Sequence, residues 1–216
     1  MSFSVRQIAF ALLLTVSVFS VRSRAESTKP DYMVPFEKGV AAQRAKNWKE
    51  AIEQYTRSLK LFPGFIQALH NRGAAKAGME DFDGAIADFT KAIALDPRSA
   101  ACYGGRAKVN EEKGKYEVAV ADCTRAITLT KDEAFEDIHG IMTKTMVLSS
   151  AYLVRAKSYY GLKLYSKSLS DCDKAIEIAP NDAEAWIQRA LVKVELGDLK
   201  GSESDAAKAK SLAGIK

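Results

Sequence analysis

The sequence predicts an all-α protein, a solenoid of about five stacked helical hairpins, and three observations predict it. One stretch of thirteen residues is written three times: AIADFTKAIALDP from Ala85, AVADCTRAITLTK from Ala119 and SLSDCDKAIEIAP from Ser168. The first two copies begin 34 residues apart and the third begins 49 further on, one 34-residue period plus 15. With Pro63, Pro97 and Pro180 set at position 32 of this period, units begin at Tyr32, Ile66, Ala100, Ser149 and Ala183, and small residues fall into line at three places.

Position 8 is Gly39, Gly73, Ala107, Ala156 and Ala190; position 20 is Ala51, Ala85, Ala119, Ser168 and Ser202; position 27 is Ser58, Ala92, Ala126, Ala175 and Ala209. Two helices approach to roughly 8 to 9 Å only where no bulky side chain separates their backbones, so each unit is expected to be a tight helical hairpin. Bulky residues recur between these points, with Trp48, Phe82, Tyr116, Tyr165 and Leu199 at position 17 and Leu61, Leu95, Leu129, Ile178 and Leu212 at position 30. A lone hairpin cannot bury such faces, whereas neighbours in a stack cover one another.

This pattern resembles the tetratricopeptide repeat, a helix-turn-helix of 34 residues with small residues at its crossing points and a proline near its end. The resemblance implies a right-handed α-solenoid over residues 32–216, with units 32–65, 66–99, 100–130, 149–182 and 183–216 and an insertion at 131–148. It specifies a fold rather than a single function, because many activities share it.

Ahead of the repeats, Arg6, an apolar run from Ile8 to Val21 and a small-x-small ending at Ser23 to Ala25 predict a secretory signal peptide cleaved after Ala25. The run has 14 residues, short of the roughly 20 that span a bilayer, so no membrane span is expected in the mature chain. Residues 26–31 then read as a linker, and the expected location is periplasmic or secreted. Cleavage removes Arg6, Arg22 and Arg24 from 32 basic residues, leaving 29 against 27 acidic ones. A surface so nearly balanced argues against a nucleic-acid partner.

Two departures from the period carry information. In the insertion, Phe135, Ile138, Met142 and Met146 recur at helical spacing, which predicts an extended or additional helical turn with a bend at Gly140. In the fifth unit, positions 21 and 28, apolar elsewhere, become Glu203 and Lys210, which reads as a water-facing terminal cap.

Arginine stands at position 7 in units two to five (Arg72, Arg106, Arg155, Arg189), and aspartate at position 23 in the same four (Asp88, Asp122, Asp171, Asp205). Unit one has Lys38 and Gln54 instead, so the two members are kept or lost together and read as ion pairs within or between units. An arginine ladder for an anionic ligand is the sharper alternative. Cys123 and Cys172 share position 24 with Tyr55 and Phe89 and read as small core residues. Units lie farther apart than the roughly 7 Å that a disulfide tolerates between Cα atoms, so no disulfide is expected between them, and Cys102 makes the count odd.

The resemblance further implies that positions 2, 5, 9 and 12 of each first helix face a concave groove where partner peptides lie. Those positions give Phe36, Val40, His70, Ala74, Gly104, Lys108, Leu153, Lys157, Tyr160, Ile187, Leu191 and Val194. The trough is mostly apolar with two lysines near its centre, suiting an extended or helical peptide with hydrophobic anchors and an acidic group. Of the carboxylate-clamp residues by which one subgroup binds chaperone C-termini, only Asn71 is matched, so that role is rejected. Nucleophile-elbow, phosphate-loop and metal-spaced motifs are missing, which predicts neither catalysis nor a cofactor. The sequence therefore points to a non-enzymatic exported scaffold that binds a segment of another protein. The alternative is a self-assembling subunit of an envelope complex.

Overall fold

The computed structural model describes residues 29–131 and 142–214, so the expected signal peptide, Phe135, Ile138 and Gly140 lie outside the described residues. Among the described residues ten helices follow one another without a strand: α1 (Met33–Arg44), α2 (Trp48–Leu61), α3 (Ile66–Ala77), α4 (Phe82–Leu95), α5 (Ala100–Glu112), α6 (Tyr116–Lys131), α7 (Lys144–Gly161), α8 (Tyr165–Ile178), α9 (Ala183–Glu195) and α10 (Leu199–Leu212). They pair as antiparallel hairpins, α1 with α2 through to α9 with α10, and each second helix packs on the first helix of the next hairpin. Consecutive first helices touch one another, whereas consecutive second helices do not. The stack therefore curves, with first helices lining its inner face.

The turn within every hairpin has the same chemistry. Position 15 is left-handed in all five: Lys46 (φ 57°), Glu80 (63°), Gly114 (70°), Lys163 (59°) and Gly197 (81°). Its N–H and that of the next residue bond back to the carbonyls three and five residues earlier, as from Gly114 to Glu111 and from Lys115 to Asn110, both 2.8 Å. This Schellman closure satisfies carbonyls that the helix end would orphan. Side-chain caps then start several second helices: Asp81 accepts from the Gly84 N–H at 3.0 Å and Asp198 from the Gly201 N–H at 2.9 Å.

Packing within the stack is volume-matched. The ring at position 24 is fully enclosed in the first two hairpins, Tyr55 at 0% and Phe89 at 2% exposure, and glycine makes room for it. A Cβ on Gly39 would lie 2.6 Å from the Tyr55 ring, and one on Gly105 would lie 2.5 Å from the Phe89 ring. Where position 24 shrinks to Cys123 and Cys172, alanine and valine fill the space instead: Cys123 clusters with Ala107 and Val154, Cys172 with Ala156 and Val192. Interiors packed at crystal-like density leave no other solution. Ala51, Ala85, Ala119 and Ser168, at the helix crossings, are inaccessible to solvent.

The insertion is partly helix. At 18 residues α7 is the longest of the described helices, starting five residues ahead of Ser149, with Thr143 accepting from the Met146 N–H at 3.3 Å. Val147 in this added turn is buried and Met142 packs against the same core, whereas Met146 faces out. Glu203 and Lys210 are exposed on α10, the water-facing cap that the sequence predicts.

Candidate functional site

Each position-7 arginine grips its position-23 aspartate through two parallel hydrogen bonds. Arg72 reaches Asp88 at 2.8 and 2.6 Å, Arg155 reaches Asp171 at 2.7 and 2.9 Å, and Arg189 reaches Asp205 twice at 2.7 Å. The remaining nitrogen of each guanidinium, Nη1, donates to position 25 of the preceding hairpin: Thr56 at 3.1 Å, Thr90 at 3.1 Å, Thr124 at 3.0 Å and Asp173 at 2.8 Å. The arginines thus fasten both hairpin and stack. Aromatic rings one turn earlier cover three of them, with Tyr103, Tyr152 and Trp186 centred 5.7, 5.5 and 4.7 Å from the respective guanidinium carbons. Engaged on every side, these cations leave little for an anionic ligand. The first hairpin, with Lys38 and Gln54, is closed differently: Ser58 Oγ donates to the Tyr32 carbonyl at 2.8 Å, and the rings of Tyr32, Phe36, Phe62 and Phe65 cluster beside it.

The inner face separates the sequence-derived groove residues into two groups. Phe36 and Val40 are half-buried, the former against the Phe65 and Tyr55 rings at 4.8 and 5.8 Å between centroids. His70 lays its ring edge-on to Phe89 at 5.4 Å, with Nδ1 3.2 Å from Asn71 Oδ1. Leu153 is not an accessible anchor: at 5% exposure it belongs to the core that includes Ala101, Ile127 and Val147. These residues hold the stack together. Ile187, Leu191 and Val194 on α9, by contrast, are 50%, 46% and 49% exposed.

Charge on this face is balanced rather than basic. Lys157 pairs with Glu184 of the next hairpin, and Tyr160 Oη donates to Glu195 Oε1 at 3.2 Å. Glu111 stands in the same stretch, where burial raises its carboxyl above the usual range; Lys157 pulls it back, Glu112 and Glu184 push it further up, and Lys108 also lowers it. Lys108 is exposed. Between the two halves lies Gly104, where a Cβ would meet nothing within 4 Å, so bare backbone floors the middle of the trough. Sequence reasoning missed the acids because each Glu is one repeat away from the lysine or tyrosine that it meets. Aligning positions 2 and 12 to 13 across neighbouring units would have found them.

None of the three cysteines forms a disulfide, and all three have no solvent exposure. Burial pushes the Cys172 thiol up to about 12 and the Cys123 thiol higher still, so neither forms the reactive thiolate near neutral pH. Among the described residues no group of His, Cys, Asp or Glu is placed to hold a metal ion, and no helix is long and apolar enough to cross a membrane.

Two models described as tetratricopeptide repeat match the sequence, one over residues 70–134 and one over residues 149–182. This is a tetratricopeptide-repeat protein. Solved structures of such repeats resemble it along most of its length. PilW, described as a widely conserved type IV pilus biogenesis factor, superposes with a TM-score of 0.73 at 14% identity, over 88% of this chain and 80% of that one. MamA from Desulfovibrio magneticus RS-1 gives 0.67 at 16% identity, over 87% and 97%. YrrB, described as a repeat protein with an unusual peptide-binding site, gives 0.59 at 15% identity, over 88% and 91%. At these identities the likeness establishes the tetratricopeptide fold. No curated protein matches the sequence.

Proposed function

We propose that this tetratricopeptide-repeat protein is a non-enzymatic, exported scaffold that holds a segment of another protein against its concave inner face. The observation that carries this reading is the half-exposed apolar set Ile187, Leu191 and Val194 on the inner face of a stack whose other inner residues are largely packed or paired. Contiguous exposed apolar surface on a folded chain marks a contact site more often than isolated residues do. The rigid receptor pays no ordering cost on binding, so affinity comes from burying the partner's apolar anchors. With Lys157 neutralised by Glu184, the acidic group expected of the partner has Lys108 as its remaining counterpart, and apolar contact dominates. Export rests on the basic, apolar and small-residue pattern of residues 1–25.

The test is site-specific photocrosslinking in cells. A photoreactive residue at Leu191 should yield adducts with another protein, and one at Glu203 on the polar cap should not. Adducts only from the cap position would overturn the groove reading, and adducts at the mass of two copies would mark a self-assembling subunit instead. Mass spectrometry of the mature chain should find Glu26 at its N-terminus; a retained leader would overturn cleavage after Ala25.

A further inference from the structure

We infer that the stripe on α9 takes an amphipathic helix of the partner, laid along α9, with apolar side chains at i, i+3 or i+4 and i+7 and basic residues on its flanks. This rests on the groove reading and adds the occupant's shape and charge. Shape comes first. Ile187, Leu191 and Val194 sit at i, i+4 and i+7 of one helix, an apolar strip about 10 Å long parallel to its axis. The strip does not continue across the trough onto α7. There Leu153 is turned into the core, while Lys157 and Tyr160 are engaged with Glu184 and Glu195. A segment running from hairpin to hairpin would cross the strip once, whereas one lying along α9 covers all three residues.

Another stacked repeat is a poor fit for this surface. Earlier second helices offer Leu59, Ile93, Ile127 and Ile176 to the hairpin that follows, but α10 offers Lys210 at that position and Glu203 two turns earlier, both exposed. The covering element therefore contacts α9 from the inside of the curve, not α10 from the end. It also has to satisfy its own backbone. The N–H and C=O groups of α9 are used within the helix, and Lys157, Glu184, Tyr160 and Glu195 at the border are already bonded to one another. An extended strand here would leave desolvated amides without partners, and a helix would not. Charge completes the assignment. Glu184 and Glu195 stand at the two ends of the strip; Glu184 is met by Lys157, whereas Glu195 accepts from the neutral Tyr160 hydroxyl and keeps its charge, so basic residues flanking the apolar side chains complement that end of the site.

The experiment is selection of a phage-displayed random library of peptides about 16 residues long, enough for four helical turns, against the purified protein. Selected sequences should show the apolar spacing with intervening Lys or Arg, and a central proline should abolish binding of the synthetic peptides. Their affinity should fall about tenfold or more on Leu191→Asp, less on Leu191→Ala, and should weaken on Glu195→Lys. Circular dichroism checks that each variant stays helical, and the alanine variant keeps the test valid if the aspartate variant does not. Peptides that tolerate proline and respond to Lys108→Glu rather than Leu191→Ala would overturn the helical occupant while leaving the groove reading intact. Binding indifferent to every inner-face substitution would overturn both.

Discussion

Arg106 and Asp122 meet as two matched forks across the third hairpin, Nε to Oδ2 and Nη2 to Oδ1, each at 2.8 Å. Their side chains are 21% and 9% exposed, so each charge is largely shielded from water when its partner is removed. Arg106→Ala and Asp122→Ala should each lose about 2 to 4 kcal/mol of unfolding free energy in denaturant titrations. The double variant should lose less than the sum, because the second deletion removes a group already stranded by the first. Additive losses would mean that the pair is not coupled.

Acid should loosen the last hairpin in a defined direction. Burial raises the Asp205 carboxyl, but hydrogen bonds and charge from Arg189 and Lys193 outweigh it and hold the group below the usual carboxylate range. A carboxylate depressed in the folded state stabilises fully above its unfolded value near 3.9 and loses that contribution as pH falls through its folded value. The stability gap between the parent and Asp205→Asn should therefore be largest near neutral pH and shrink in strong acid. A gap that widens on acidification would reverse the assigned sign.

The hairpin turns offer a stabilising change. Lys46, Glu80 and Lys163 occupy the left-handed conformation that Gly114 and Gly197 adopt without strain. Replacing any of the three with glycine trades a steric penalty of about 1 to 2 kcal/mol against the larger unfolded-state freedom of glycine. A net gain of roughly 0.5 kcal/mol per site is expected, and Gly114→Ala should lose about 1 kcal/mol. Thermal melts of the triple glycine variant and of Gly114→Ala should shift in opposite directions; shifts of the same sign would refute the turn assignment.

Ala119 has no solvent exposure, at the point where α5 and α6 cross. Ala119→Leu should cost about 1 to 3 kcal/mol by overpacking. An unchanged melting temperature would contradict so close a crossing.

Much of the architecture is legible in the sequence because close helix packing writes itself as small residues at fixed positions. The pairing of Arg72 with Asp88, and of its three counterparts, follows from their joint presence and joint absence. Its third bond was harder to see. Thr56, Thr90 and Thr124 look like ordinary surface hydroxyls until Asp173, at the same position, shows that an acceptor is wanted there. The groove was less legible still. A position that lines the trough in principle can be withdrawn by its neighbours: Leu153 is enclosed where the added turn of α7 brings in Val147. The charge of Lys157 is likewise cancelled by Glu184, a contact 27 residues away in sequence. Period alone cannot report such cross-repeat partnerships.

The bond from Arg155 to Thr124 spans 31 residues where its equivalents span 16, yet its length is 3.0 Å against 3.1 Å for the bond from Arg106 to Thr90. The coil keeps its pitch across the one junction where the written period breaks. Part of the added sequence is built into the stack there, since Val147 in the added turn of α7 is buried, so the junction admits a change of chain length without losing this bond.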